Sequence, residues 1–200
     1  LSLCNKNFPN MNSNDSSKAK HNLLLDVCLA ANYEAQSLIH YHEQYQQSYP
    51  GSGSDFSMCT MLARSFADIG DIVRGRDLYF GKRKKKKQNG KETERDELES
   101  KLKEIFKKIH SEVTSGNNKD ALKTRYNDNE ENYYKLREDW WALNRQQVWK
   151  ALTCEAPKDS KYFRGTCGSK AKTATQTPSH CRCDDNQVPT YFDYVPQYLR

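Results

Sequence analysis

Residues 130–152 read Glu-Glu-Asn-Tyr-Tyr-Lys-Leu-Arg-Glu-Asp-Trp-Trp-Ala-Leu-Asn-Arg-Gln-Gln-Val-Trp-Lys-Ala-Leu. Tyr133, Leu136, Trp140, Leu143, Val148 and Leu152 recur mostly three or four residues apart, the period of one face of an α-helix. The pattern predicts a helix from Glu130 to Leu152, the most aromatic in the chain. Core packing claims Trp140, and Trp141 or Trp149 is expected to be partly exposed.

The same period recurs upstream. From Ser17 to Tyr49, Leu24, Cys28, Ala31, Ala35, Leu38, Tyr41 and Tyr45 form a helical stripe, and the Pro50-Gly51-Ser52-Gly53 turn stops it. Asp55 to Arg74 carries Met58, Leu62, Phe66, Ile69 and Val73. Gly70 within that stripe costs roughly 1 kcal/mol against Ala and so points to a close helix approach or a kink. Thr93 to Ser115 carries Leu98, Leu102, Phe106, Ile109 and Val113, with Thr93-x-x-Asp96 similar to a capping box. Residues 1–16 and 156–193 lack a period and read as loop. The fold class is therefore all-α, a disulfide-stapled helical bundle with long irregular loops.

Composition explains the staples. Hydrophobic residues make up 36% of the 200 and charged residues 29%, and mean hydropathy is −1.02. A modest core of this kind gains from cross-links, typically about 2–4 kcal/mol each. The chain has seven cysteines. Cys28, Cys59, Cys154, Cys167, Cys181 and Cys183 are the disulfide candidates. Cys4 is left to pair outside the segment, since both ends look cut. No apolar run approaches the ~18–20 residues that span a bilayer, so direct membrane insertion is not expected.

The net charge is +6 from 32 basic and 26 acidic residues. Lys82, Arg83, Lys84, Lys85, Lys86, Lys87 and Lys91 place seven positive charges within ten residues. Such a run, inside a polar loop from Phe80 to Thr93, attracts polyanions. Arg74 and Arg76 extend the candidate glycan-binding patch, because guanidinium suits oxyanions. The competing reading is a nuclear-import or nucleic-acid patch in an intracellular protein, disfavoured by the cysteine count. Cys154, Cys167, Cys181 and Cys183 with His180 have the atoms for a zinc site, but their spacing is not that of two C-x-x-C pairs, so no metal is expected. Asp68-x-x-Asp71 offers paired carboxylates, more simply read as partners of Arg64, Arg74 or Arg76. No catalytic set or cofactor fingerprint is visible, so neither enzyme activity nor a cofactor is expected.

Three segments together carry a family resemblance. Residues 63–80 read Ala-Arg-Ser-Phe-Ala-Asp-Ile-Gly-Asp-Ile-Val-Arg-Gly-Arg-Asp-Leu-Tyr-Phe. Residues 136–154 run from Leu-Arg-Glu-Asp-Trp-Trp to Ala-Leu-Thr-Cys. The end reads Asp193-Tyr-Val-Pro-Gln-Tyr-Leu-Arg200. Their order and spacing resemble the Duffy-binding-like domain, alpha class, of the variant erythrocyte membrane proteins of the malaria parasite. The resemblance implies a non-catalytic extracellular module on the infected red-cell plasma membrane, within a larger membrane-anchored protein. It implies host cell-surface receptors as partners: sulfated glycosaminoglycans, blood-group sugars and red-cell proteins, with cytoadhesion or red-cell rosetting as the outcome and antibodies as further binders. It also implies that Cys181 or Cys183 staples back to Cys59 while the other joins Cys154 or Cys167.

On this reading residues 1–200 are one partial domain. Residues 1–54 hold the N-terminal part with the first long helix. Residues 55–200 form a central helical subdomain with a lysine-rich loop at 80–93 and a cysteine-rich loop at 153–193. Thiol titration of the denatured, unreduced chain should find most cysteines blocked. Mostly free thiols would favour the intracellular nucleic-acid binder.

Overall fold

The computed structural model describes residues 19–48, 58–76, 94–115, 119–127, 131–168 and 173–200. Five α-helices carry the fold: α1 (Ala19–Ser48), α2 (Met58–Arg74), α3 (Glu94–Thr114), α4 (Lys119–Arg125) and α5 (Tyr134–Leu152). Two 3-10 turns follow, at Phe192–Tyr194 and Gln197–Leu199. Among the described residues there is no β-strand, only two isolated antiparallel bridges, Cys167–Thr175 and Ser179–Arg182. The bounds of α1, α2, α3 and α5 fall near those the periodicity predicts. The expected lysine-rich loop and the Thr93 cap lie outside the described residues. Helix α4 has no counterpart in the periodicity, because in Lys-Asp-Ala-Leu-Lys-Thr-Arg only Leu122 among larger side chains is apolar, which leaves no stripe to detect.

The described residues form two compact units. One comprises Leu24–Ile69 and Asn144–Arg200, the other residues 19–23 and Gly70–Leu143. In the first, Ala31, Ala35, Cys59, Leu62, Ala63, Phe66, Val148, Trp149 and Leu152 are buried. Trp149 meets Phe66 edge to face, with ring centroids 5.2 Å apart, and the Ser65 hydroxyl donates to Glu34 Oε1 at 3.0 Å. In the second, Leu102, Phe106, Ile109, Tyr133, Leu136, Trp140 and Trp141 are buried, and Phe106 meets the edge of Trp140 at 6.2 Å.

Several stripes stop short of their expected length. Trp140, Trp141 and Trp149 are all buried, whereas Leu143 is 78% exposed. Successive helical positions lie about 100° apart, so burying both Trp140 and Trp141 shifts the covered face of α5 away from Leu143. Tyr41, Tyr45 and Leu98 are also exposed, so the covered faces of α1 and α3 are narrower than their stripes. Cys28 corrects the expectation of a sixth bridged cysteine. It is a free, buried thiol, and burial pushes its pKa from 9.0 up to about 12. A neutral thiol in that setting packs as a small apolar side chain.

Helix α2 ends in a Schellman motif. Gly75 adopts φ +71°, its N–H donates to Ile72 O at 3.1 Å, and the Arg76 N–H donates to Asp71 O at 2.8 Å. The fully buried Arg137 guanidinium completes this helix end. Its Nε donates to Val73 O at 2.6 Å and its Nη2 to Ile72 O at 3.1 Å. The same fork grips Glu99 through two bonds of 2.7 and 2.9 Å. One side chain of α5 thus satisfies the C-terminus of α2 and neutralises a carboxylate of α3.

Gly70 marks a close approach. A methyl group there would lie 2.8 Å from Cζ2 of Trp141, inside contact distance. Gly70→Ala should therefore destabilise the chain by about 1–3 kcal/mol, despite the roughly 1 kcal/mol that Ala gains in helix propensity. Thermal unfolding measures it, and an unchanged or raised midpoint would show that Trp141 does not press on this turn.

Candidate functional site

The residues proposed for glycan contact divide. Lys82, Arg83, Lys84, Lys85, Lys86, Lys87 and Lys91 lie outside the described residues. Arg74 does not serve as expected: it is 1% exposed, because α2 turns it inward. Its Nη2 sits 2.9 Å from Asp71 Oδ1 and its Nη1 3.6 Å from Glu138 Oε2, and its guanidinium lies 5.9 Å from the Trp141 ring. A cation with two carboxylates and an aromatic face is a structural anchor, not a surface for sulfate. The Arg76 side chain is 58% exposed, but its Nε is 2.6 Å from Glu138 Oε1, so most of its charge is already matched. The carboxylates singled out beside them are likewise engaged, Asp71 by Arg74 and Asp68 by Arg200 at 3.0 Å.

The described residues after α5 form a surface layer tied down by disulfides and side-chain hydrogen bonds. Cys59 of α2 bonds Cys181, and Cys167 bonds Cys183. Cys154 is disulfide-bonded as well. The sulfurs considered for zinc are thus consumed by disulfides, and His180 Nδ1 is 2.6 Å from Ala156 O. Successive left-handed residues, His180 at φ 49° and Cys181 at φ 54°, turn the loop so that Cys181 faces α2. The Trp149 indole N–H donates to Cys181 O at 3.1 Å. Arg182 donates to Thr153 Oγ1 at 2.7 Å and Lys150 O at 2.6 Å, which caps the end of α5.

Arg145 organises the C-terminal stretch from Thr190 onward. Its Nε and Nη2 lie 2.7 and 2.8 Å from the two oxygens of Asp193, and Nη2 also donates to Thr190 O at 2.9 Å. The guanidinium stands 5.6 Å from the Phe66 ring and 5.3 Å from those of Tyr191 and Tyr194. Tyr191 and Tyr194, though they flank this anchor, are exposed, as are Tyr198 and Leu199. Tyr162 fastens the middle of the layer. Its hydroxyl donates to Thr190 Oγ1 at 3.2 Å and its backbone N–H to Thr177 Oγ1 at 2.8 Å. Burial raises the pKa of the Tyr162 phenol.

Sequence reasoning singles out none of Arg137, Arg145 and Arg182. The available signal is the placing of Arg137 and Arg145 within a helix whose neighbouring positions are Trp, Leu and Val. What such a layer does chemically is hold irregular backbone in one shape. Among the described residues no group of three or more His, Cys, Asp or Glu side chains is arranged to hold a metal ion.

The Duffy binding domain family model matches residues 1–200. No curated protein matches the chain. Solved structures do. The NTS-DBL1(alpha-1) domain of Plasmodium falciparum membrane protein 1 (PfEMP1), varO strain, is 37% identical with a TM-score of 0.63, over 98% of this chain and 38% of that one. A PfEMP1 DBLbeta domain bound to ICAM-1 is 29% identical with a TM-score of 0.60, over 92% of this chain and 38% of that one. A further PfEMP1 DBLb domain, bound to human ICAM-1, is 28% identical with a TM-score of 0.57, over 95% of this chain and 32% of that one. The chain therefore spans well under half the length of the structures it matches.

Arg145→Ala would take the guanidinium away from the Asp193 carboxylate, whose side chain is fully buried. Removing one partner of such a pair should cost roughly 3–5 kcal/mol. Denaturant unfolding tests this, and a loss under about 1 kcal/mol would mean that the pair behaves as a surface contact.

Proposed function

This chain belongs to the Duffy binding domain family, and from that premise we propose that it is a non-catalytic adhesion module that binds receptors on host cells. The observation carrying this reading is the family match along all 200 residues, joined to two related DBLbeta domains bound to ICAM-1. The proposed setting is the outer face of the infected red cell, within a larger membrane-anchored protein. Five cysteines oxidised in the structure support an oxidising, extracellular compartment, and they weigh against the intracellular nucleic-acid binder.

The domain reading we propose is one partial Duffy-binding-like domain. Residues 1–54 supply its N-terminal part and residues 55–200 its central helical subdomain. The helices and buried arginine forks form the frame, and surface segments make the contacts. The lysine run at residues 82–87 adds a basic component suited to sulfated glycosaminoglycans, since ammonium groups neutralise sulfate and release counterions. Blood-group sugars, red-cell proteins and antibodies are proposed as further partners, and rosetting as a cellular outcome.

Two measurements decide this. The disulfide-intact chain, offered to a panel of red-cell and endothelial surface proteins, should bind at least one saturably, and binding to none would end the adhesion reading. On immobilised heparin it should be retained in a manner that weakens steeply with salt. Replacing Lys84 through Lys87 with Glu should lower that affinity by at least about tenfold. Unchanged retention would remove the lysine run as the polyanion site.

A further inference from the structure

Cys181 and Cys183 are separated by one residue, yet they take different partners. Cys181 bonds Cys59 of α2, and Cys183 bonds Cys167. Spacing alone leaves that choice open, so something other than nearness in the chain makes it.

The two cysteines stand in unlike backbone settings. The Arg182 N–H donates to Ser179 O at 2.9 Å, which closes a four-residue turn. Its central residues, His180 and Cys181, have φ values of 49° and 54°. Positive φ at both central positions is the pattern of a type I′ turn. Neither residue is glycine, so the turn is costly and persists only where its surroundings impose it. Cys181 sits inside the turn and Cys183 beyond it. Putting Cys183 in the place of Cys181 would require the turn to slide two residues along the chain.

Noncovalent bonds oppose that slide. The backbone N–H groups of His180 and Cys181 donate to Lys158 O at 3.4 Å and Ser160 O at 3.0 Å. The remaining bonds involve the end of α5. The Trp149 indole N–H donates to Cys181 O at 3.1 Å. Arg182 Nε donates to Thr153 Oγ1 at 2.7 Å, and that hydroxyl donates in turn to Trp149 O at 2.8 Å. The bonds thus close a ring from Arg182 through Thr153 and Trp149 back to the carbonyl that precedes Arg182. Arg182 Nη2 adds Lys150 O at 2.6 Å. Trp149, Thr153 and Cys181 are buried, so a change of register would strand their polar groups away from water. The Arg182 guanidinium is itself partly buried, and desolvation lowers its pKa. Its charge relies on the neutral oxygens that face it.

We infer that Arg182 is a positioning residue for oxidation of this chain, selecting Cys181 over Cys183 as the partner of Cys59. Each bond forms when two thiols give up two electrons and two protons to an organic disulfide such as oxidised glutathione. A wrong bond is corrected when a thiolate attacks one of its sulfurs, forming one S–S bond as the other sulfur leaves as thiolate. Neither step tells the two cysteines apart. The register held by Arg182 does, because it turns Cys181 to α2 and leaves Cys183 for Cys167.

Refolding the reduced 200-residue chain in a glutathione redox buffer tests this. Electron-transfer fragmentation in the mass spectrometer locates each bond without cleavage at residue 182. The parent should return Cys59–Cys181 with Cys167–Cys183. Arg182→Gln should raise the exchanged isomer, Cys59–Cys183 with Cys167–Cys181, at least about tenfold. That ratio corresponds to about 1.4 kcal/mol, the scale of one hydrogen bond from a charged group. Arg182→Lys keeps the charge but not the fork, and should fall between the two. Tyr162→Phe removes the hydroxyl bond to Thr190 and so loosens the same layer elsewhere, and it should pair as the parent does. A parent without preference for its native pairs, an exchanged isomer no commoner in Arg182→Gln than in the parent, an equal rise in Tyr162→Phe, or scrambling spread evenly over all seven cysteines would each overturn the proposal.

Discussion

A guanidinium removed from water must bring its partners with it, and helix α5 carries two that do. Arg137 is fully buried, with both terminal nitrogens on Glu99 and further bonds to the last carbonyls of α2. Arg145, eight residues on, forks onto the buried Asp193. Losing either partner would strand a charge in a medium that solvates it poorly. These forks accept little error in distance or angle, so they set where α2, α3 and the C-terminal turns can lie within their own units. Apolar contact, which is non-directional, does not impose that geometry.

This answers the difficulty posed by a mean hydropathy of −1.02. A chain so polar has few large apolar side chains to spend on a core, and those buried lie mainly on α1, α2, α3 and α5. The irregular layer after α5 buries few apolar side chains besides its cysteines, Ala156, Tyr162 and Val188 among them. It is held by the Cys59–Cys181 and Cys167–Cys183 bridges, by Arg182 at the end of α5, and by Trp149, which bonds the carbonyl of Cys181. Loops anchored this way can vary between their tethers without loss of the frame. That is the property the proposed adhesion surface needs, since specificity then resides in segments on which the core makes no demand.

In the candidate site, pairing decides which cations are available. Arg74 and Arg76 group with the lysine run by charge and by nearness in sequence. Both prove to face Glu138, and Arg74 lies beneath the surface beside Trp141. A basic residue is available to a ligand only if the fold leaves its charge unmatched, and carboxylates dozens of residues away decide that.

The sequence alone determined the helical class, the approximate limits of α1, α2, α3 and α5, the irregular character of the segment after them, and the family. These follow from signals local in the chain: a 3.6-residue period, turn residues at its interruptions, and long runs of characteristic residues. Gly70 was legible as a close approach because a glycine within a helical stripe weakens the helix unless a neighbour needs the space. Only the tertiary structure decided that Trp141 and Trp149 are buried while Leu143 is not, that Cys28 stays a thiol, and which arginines are anchors. Each of those outcomes depends on what lies across the helix from the residue in question. Period and propensity say which side chains share a face, but they do not say what that face will meet.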